Sequence, residues 1–488
     1  KAAVFLSIIL SVWTSCVFAF TPLVPTNGYT YVIEAAREGT WPSCAYRFLS
    51  YSSSCDKVDL WSGAGVNQQW QFIDAGDGTF YLKSNCGRYL SYTSDCNDKK
   101  TIDLWSGAGI NQKFRFVAVG QFQYHIEAVG RSQCDYRWMS FPVPCTTNSP
   151  DSIDFWSAAG PDQTFRLYPV GSSNPAVHTV GTSFGCADPY VWKPHKSNDY
   201  LIQCTGGNIG MGKSSSLEPG STFNYIGDAL GGSPASWASA NSRWAPENYE
   251  SPDSRYNYLF FADSQSDGIH RLGWVSSDSG ANPNQYDHYA SSCLDLGKQA
   301  GGDIDGHIFE DTDGKTYLLW KTDDNAAGMS YTRIWMQQLQ FSNGSVSQIG
   351  SPTIVLDSKG IWWIDSWVSG GSLVEGPEIV KNGKYYYLFF AAGRYCQDTY
   401  TEGVARSTSV WGPYEKMMSP VLSNGIVGKG KTSSGSVVQL VGPGHASLTS
   451  TSNGWRIVWH ASLGENCDRY SFISKLSFGS DEWPYVDL

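Results

Sequence analysis

The sequence contains no long Ala/Leu/Glu/Lys stretch of helical period, no block of basic residues and no Cys-x-x-C pair. It has one long apolar run, at its start. Each absence excludes something. Without helical periodicity a helix bundle or doubly wound fold is ruled out. A net charge of −11, a pI near 5.2 and no basic patch argue against nucleic acid or acidic lipid as partner. Scattered cysteines without paired spacing argue against a structural zinc site. The apolar run, KAAVFLSIILSVWTSCVFAF, carries one positive charge and ends in Val17-Phe18-Ala19. It reads as a secretory signal over residues 1–19, and the lack of a second such run excludes a membrane span. The expected product is a secreted, extracellular monomer. Its cysteines, apart from Cys16 in the signal, would form disulfides in an oxidising compartment. One sequon, Asn343-Gly344-Ser345, is available for glycosylation.

What is present points to an all-β chain. Aromatics make up 14% of the residues, and short Tyr/Phe/Trp/Val runs alternate with Gly, Asp, Asn and Ser. At 488 residues two or more domains are expected. Over residues 27–169 two phrases recur three times. VDLWSGAGVNQQWQF, IDLWSGAGINQKFRF and IDFWSAAGPDQTFRL begin at Val58, Ile102 and Ile153; CAYRFLSY, CGRYLSY and CDYRWMSF precede them from Cys44, Cys86 and Cys134. Three such units cannot each bury a face alone and should close around a pseudo-threefold axis. The Gln-x-aromatic signature (Gln68/Trp70, Gln112/Phe114, Gln163/Phe165) resembles the ricin-B-type β-trefoil. That resemblance implies a carbohydrate-binding module, although the Asp that grips sugar early in each repeat is missing. Tyr and Trp faces are then the remaining means of binding, and a packing role alone stays open. Equal spacing suggests three disulfides within repeats: Cys44–Cys55, Cys86–Cys96 and Cys134–Cys145.

A linker over 170–181 leads to a second repeat set over 182–488. Five strand cores recur, around Tyr200, Tyr258, Tyr317, Tyr387 and Ile457. Each unit is long enough for about four short strands, which indicates a five-bladed β-propeller. Counting back twelve residues from each marker reaches Asp188, Pro246, Asp305, Glu375 and His445. If the copies are equivalent, these five ring the axis at one level, with three carboxylates and an imidazole converging on one pocket. Taken singly, each acid could be a turn or a solvated strand edge; such crowding at one level asks for a task. Two carboxylates across a sugar ring are the equipment of glycoside hydrolysis, and a third can raise the acid's pKa.

The ordered motifs Ala187-Asp188-Pro189, Trp244-Ala245-Pro246, Ile304-Asp305, Glu375-Gly376-Pro377 and Gly442-Pro443-Gly444-His445, with VARSTSVWGPYEK from Val404, resemble glycoside hydrolase family 43. The resemblance covers about residues 180–488. It implies Asp188 as general base, Glu375 as general acid with its pKa pushed upward, and Asp305 as the residue that tunes and orients the acid. Asp303 is a weaker substitute for Asp305. Gly306 stands where many members have Pro, which leaves the local turn open. Trp244 and Trp363, with Trp362 and Trp367 nearby, would offer flat faces to sugar. The chemistry would be single-displacement inverting hydrolysis of a plant-type polysaccharide (arabinan, arabinoxylan or xylan), with exo-β-1,3-galactanase-type specificity as the alternative. No cofactor is needed for that chemistry; His445 would help hold a structural Ca²⁺ or Na⁺ in the central channel through water.

Rival readings are weaker. The invertase-like propellers carry Asn-Asp-Pro-Asn-Gly and Glu-Cys-Pro, both missing here. A secreted carbohydrate-binding or effector protein without catalysis would have no need of all three carboxylates. GNIGMGKS from Gly207 fits the P-loop pattern, but SSLEPGSTF follows in place of the required helix. GTSFG from Gly181 likewise lacks the strand–turn–helix of a nucleophile elbow. Two bridges are expected in the propeller, Cys186–Cys204 and Cys396–Cys467, with Cys293 left over.

Overall fold

The computed structural model describes the chain from Pro25 to Asp487, apart from internal stretches of which 36–47, 142–152 and 359–372 are the longest. The signal region, Cys44, Cys145, Trp362, Trp363 and Trp367 lie outside the described residues. Among the described residues no helix is long and apolar enough to cross a membrane.

The N-terminal module is one twelve-stranded, barrel-like sheet. Six strands pair in a closed ring: Tyr29–Ala35, Gln69–Asp74, Phe80–Lys83, Lys113–Gly120, Gln123–Ala128 and Thr164–Ser172, which returns to the first. Each repeat adds one hairpin, Phe48–Tyr51 with Val58–Trp61, Tyr89–Tyr92 with Ile102–Trp105, and Trp138–Ser140 with Asp154–Trp156. The aromatics of the Gln-x-aromatic motif, Trp70, Phe114 and Phe165, are fully buried inside. The glutamines have a separate task. Gln68, Gln112 and Gln163 donate through Nε2 to Ser50, Ser91 and Ser140 at 2.6, 2.8 and 2.7 Å, so the two recurring phrases of every repeat are tied to each other.

The disulfides differ from expectation here. Cys55 pairs with Cys86 and Cys96 with Cys134, joining one repeat to the next. Equal spacing within repeats misleads because each cysteine lies in a turn facing the neighbouring copy, where Cα–Cα distances of 6.6 and 5.2 Å permit a bridge. In the second module Cys186–Cys204 and Cys396–Cys467 form as expected, and Cys293 is a free, half-buried thiol.

Residues from 177 onward form five sheets, the blades of a propeller, antiparallel except for one pair in the fifth. The first strands are Tyr190–Trp192, Trp244–Glu250, Asp303–Glu310, Val374–Asn382 and Val437–Thr451. The second strands carry the five apolar cores: Tyr200–Cys204, Asn257–Ser264, Thr316–Thr322, Tyr385–Ala392 and Gly454–Leu463. They are apolar almost throughout because blades cover both of their faces. The segment expected as a linker is partly strand, with Val177–Thr179 pairing in parallel with Lys429–Lys431 of the fifth blade. Lys213 of the P-loop-like stretch lies in the strand Gly210–Ser214, which removes the helix that pattern needs.

The two modules share a core. Val32 and Phe48 face away from the barrel, are 0% and 1% exposed, and pack in one cluster with Phe309, Leu319, Leu388 and other apolar residues of the third and fourth blades. The short helix Asn424–Val427 also packs on Thr164–Ser172.

Candidate active site

Each blade carries a residue with positive φ just before or within its first strand: Asp188, Ala245, Asp305, Gly376 and His445, at 47°, 45°, 57°, 52° and 48°; the fifth blade has a second at Gly442. In the second to fifth blades the ladder register breaks at this point. The bulge turns one residue per blade toward the axis. These five are therefore the equivalent positions, which corrects the count for two blades: Ala245 replaces Pro246, and Gly376 replaces Glu375. A fixed count of twelve fails because the hairpin between the first two strands differs in length among blades. Glu375 stands one residue earlier, paired with Ala391, where the second blade has Trp244 paired with Ala262. It stands one step out from the ring and is not among the residues that line the axial cavity. The Glu-Gly-Pro order now has a cause, since a Cβ at residue 376 would lie 2.9 Å from the His445 ring and the backbone is left-handed there. At Gly306 a Cβ would meet the Leu272 methyls at 2.7 Å, so the proline that the motif often carries would require that buried side chain to shift.

Asp188 is gripped from several sides. Arg469 Nη1 is 2.8 Å from Oδ1, Thr205 Oγ1 donates to Oδ2 at 2.7 Å, and His445 Nδ1 lies 3.4 Å from Oδ1. The backbone N–H of Asp188 donates to His460 Nδ1 at 3.0 Å. His460 is fully buried, which with Arg469 keeps its ring neutral, so the 3.3 Å approach of Nδ1 to Asp188 Oδ1 is not an ion pair. Burial alone would raise the Asp188 carboxyl, but Arg469, His445 and Thr205 hold it well below the usual carboxylate range. It is ionised at any working pH.

Glu375 departs from expectation. Burial pushes it up, yet its pKa is lowered overall, because Lys321 Nζ lies 2.9 Å from Oε2 and Tyr400 Oη donates to Oε1 at 2.8 Å. Asp305 moves the other way, up to about 6, through burial and the charge of Glu375 beside it. Its Oδ2 accepts from the backbone N–H of Gly376 at 3.0 Å. With Asp188 ionised, a proton on this carboxyl pair favours Asp305 over Glu375. Asp303, the weaker substitute, is turned away and accepts from Trp320 Nε1 at 3.0 Å.

An axial cavity lies beneath, lined by all five blades, Pro246 among its walls. Two residues beyond the bulge, Glu247, His307 and Glu378 bring ligand atoms within 4.8 Å of one another. His307 Nδ1 lies 3.1 Å from Glu247 Oε1 and 4.0 Å from Glu378 Oε2, and neither ring nitrogen makes a well-aligned hydrogen bond. Burial pushes both carboxyls up, Glu378 to about 8. Two carboxylates and an imidazole fit a cation, so this trio are candidate ion ligands; His445 lies on the level above, with Nδ1 3.4 Å from Asp188 Oδ1.

Sequence reasoning missed the trio, although each member follows its bulge residue by two. It also missed Thr205, Lys321, His460 and Arg469. Thr205, Lys321 and His460 do leave a trace, as polar residues ending the apolar runs YLIQCT, TYLLWKT and WRIVWHA. Trp244 is half-buried and stacks on His270, with centroids 3.5 Å apart at 14°.

The family model for glycosyl hydrolases family 43 matches residues 181–484. A probable arabinan endo-1,5-alpha-L-arabinosidase A of Emericella nidulans is 26% identical over 237 residues, covering 46% of this chain and 67% of that protein. A beta-xylosidase of Bacillus subtilis is 29% identical over 204 residues, 38% of this chain and 33% of that one. The crystal structure of an endo-arabinase from Bacteroides thetaiotaomicron shares the fold, with TM-score 0.51 and 18% identity over 63% of this chain and 100% of that chain. With five blades around one carboxylate-lined axis, and a family model spanning them, the conclusion is plain: the chain belongs to glycosyl hydrolase family 43 and is a glycosidase.

Proposed function

We propose that the enzyme is a secreted, inverting hydrolase of arabinan, arabinoxylan or xylan, with Asp188 as base, Glu375 as acid and Asp305 as their modulator. The observation that carries this is Asp188, a buried carboxylate kept ionised by Arg469 and Thr205 across the ring from Glu375. Such a group can take a proton from water as the water attacks the anomeric carbon. Glu375, protonated for the step, gives its proton to the departing glycosidic oxygen. The Asp305 carboxyl braces the Gly376 amide next to the acid and supplies the charge that moves the pair's proton. The relatives named above act on arabinan or xylosides, which sets the substrate classes to test first. Product release from arabinan, arabinoxylan, xylan and β-1,3-galactan distinguishes them. Activity on galactan alone would overturn the arabinan/xylan reading.

The N-terminal module is best read as a β-trefoil that holds polysaccharide. Its ring closure and three hairpins support this, as do Trp61, Trp105 and Trp156, which occupy one position in each repeat and are 46%, 58% and 49% exposed. Large aromatics left in water at three equivalent places suit the flat faces of sugars. A Ca²⁺ or Na⁺ on Glu247, His307 and Glu378 would offset their buried charge; chelation followed by a melting measurement tests it.

A further inference from the structure

We infer that Lys321 is a positioning residue for the acid: shared between Glu375 and Asp323, it holds the Glu375 carboxyl in place and sets the pH above which that carboxyl ceases to donate. The inference rests on the reading of Glu375 as general acid.

Lys321 is 2% exposed, with its Nζ 2.9 Å from Glu375 Oε2 and 3.0 Å from Asp323 Oδ1. A buried ammonium is costly unless paired on every side, and the propeller itself does not ask for one. The ladder puts Lys321 opposite Ile304, and the equivalent places in the second and fourth blades hold Ala262 and Ala391. A cation at this point therefore serves its neighbours. Asp323, the second seat, is fixed through its backbone, its N–H donating to Gly302 O at 2.9 Å. Residue 301 must be glycine, because a Cβ there would overlap the Asp323 carbonyl at 1.8 Å.

Other groups face Glu375 as well. Tyr400 donates a neutral hydrogen bond to Oε1, while His445, Arg469, Asp305 and Glu402 act through charge. Among the described residues, Lys321 is the one cation hydrogen-bonded to the carboxyl. It anchors one oxygen, as Tyr400 anchors the other, and favours the ionised form. The sign follows directly. An acid catalyst is lost as pH rises through its pKa, so removing the cation must move the basic limb of kcat/KM upward. Removing Asp323 leaves the cation wholly to Glu375 and must move that limb downward.

The test is kcat/KM against pH for Lys321→Met, Lys321→Arg and Asp323→Asn, on an oligosaccharide the enzyme cleaves and on its nitrophenyl glycoside. Lys321→Met should raise the basic limb by about one unit. It should also lose about 10–100-fold on the oligosaccharide, with less loss on the activated glycoside, since an unanchored acid matters most where the leaving group is poor. Lys321→Arg should recover part of both effects, and Asp323→Asn should lower the limb. Limbs that stay put, or that shift in the same direction in the Met and Asn variants, would overturn the inference. If Lys321→Met fails to fold, Asp323→Asn decides alone, because Asp323 is partly exposed and carries the opposite sign. Glu375→Gln separates the two levels. A basic limb persisting in that variant would mean that Glu375 is not the titrating acid, which sinks the catalytic reading instead.

Discussion

The two modules use internal symmetry in opposite ways. In the N-terminal barrel the three repeats keep the same residue at the same place: Gln on Ser, an aromatic inside, a tryptophan outside. In the propeller the backbone repeats down to the sign of φ, yet the five bulges carry Asp, Ala, Asp, Gly and His. The barrel multiplies one contact, and the propeller spends its symmetry on placing different groups around one point. A chemical step needs unlike groups facing each other, whereas holding a long polymer gains from like contacts repeated.

The sharpest way to break this contrast is to alter the unlike groups. Asp188→Asn should lower kcat on all substrates by about 10²–10⁴-fold, with the melting temperature reported alongside. Near-normal turnover would mean the ring is not the reacting centre. The pH profile belongs with this. Asp188 stays ionised, while the Asp305–Glu375 pair loses its proton on passing about pH 6, so kcat/KM should fall above that pH. A flat profile to pH 8 would contradict the assignment of the pair.

Next in size is the seam between the modules. Phe48→Ala empties a fully buried site and should cost about 3–5 kcal/mol, seen as a lower melting temperature. A chain cut near Gly181 should lose stability because Val32 and Phe48 leave the core they share with the propeller. An unchanged melt for the shortened chain would show that the modules are independent. Smaller is the effect of the exposed tryptophans. Trp61→Ala, Trp105→Ala and Trp156→Ala should each weaken retention on insoluble polysaccharide by about two- to tenfold, with turnover of small glycosides intact. The triple variant should abolish retention. Asp303 is the last test and matches the seam in size: its folded pKa of about 7 lies above the roughly 3.9 of an unfolded aspartate. A raised acid binds its proton more tightly when folded, so stability falls as pH rises from about 4 to 7. Asp303→Asn should flatten that part of the melting curve against pH.

Much of this was legible in the sequence. The repeats, the five apolar strands and Asp188, Asp305 and His445 as ring residues are local patterns, and local patterns survive folding. Glu375 was found, but one step out of register, because the hairpins between the first two strands differ in length among blades and a fixed count cannot follow them. Disulfide partners were misread in the barrel, since closure around an axis brings neighbouring copies together. The Lys321 and Tyr400 contacts that lower Glu375 come from other strands and have no signature near it in the chain. Trp363 lies in the stretch 359–372, outside the described residues, and Trp244 gives its ring face to His270.

The central claim is that Asp188 activates water while Glu375 protonates the leaving oxygen, in one displacement. Proton NMR of the first product formed, recorded before mutarotation, tests it most directly. The account predicts the anomer inverted relative to the substrate, with Asp188→Asn unable to form it at a comparable rate. A retained anomer at early times would contradict the account, because a carboxylate would then be attacking the sugar itself.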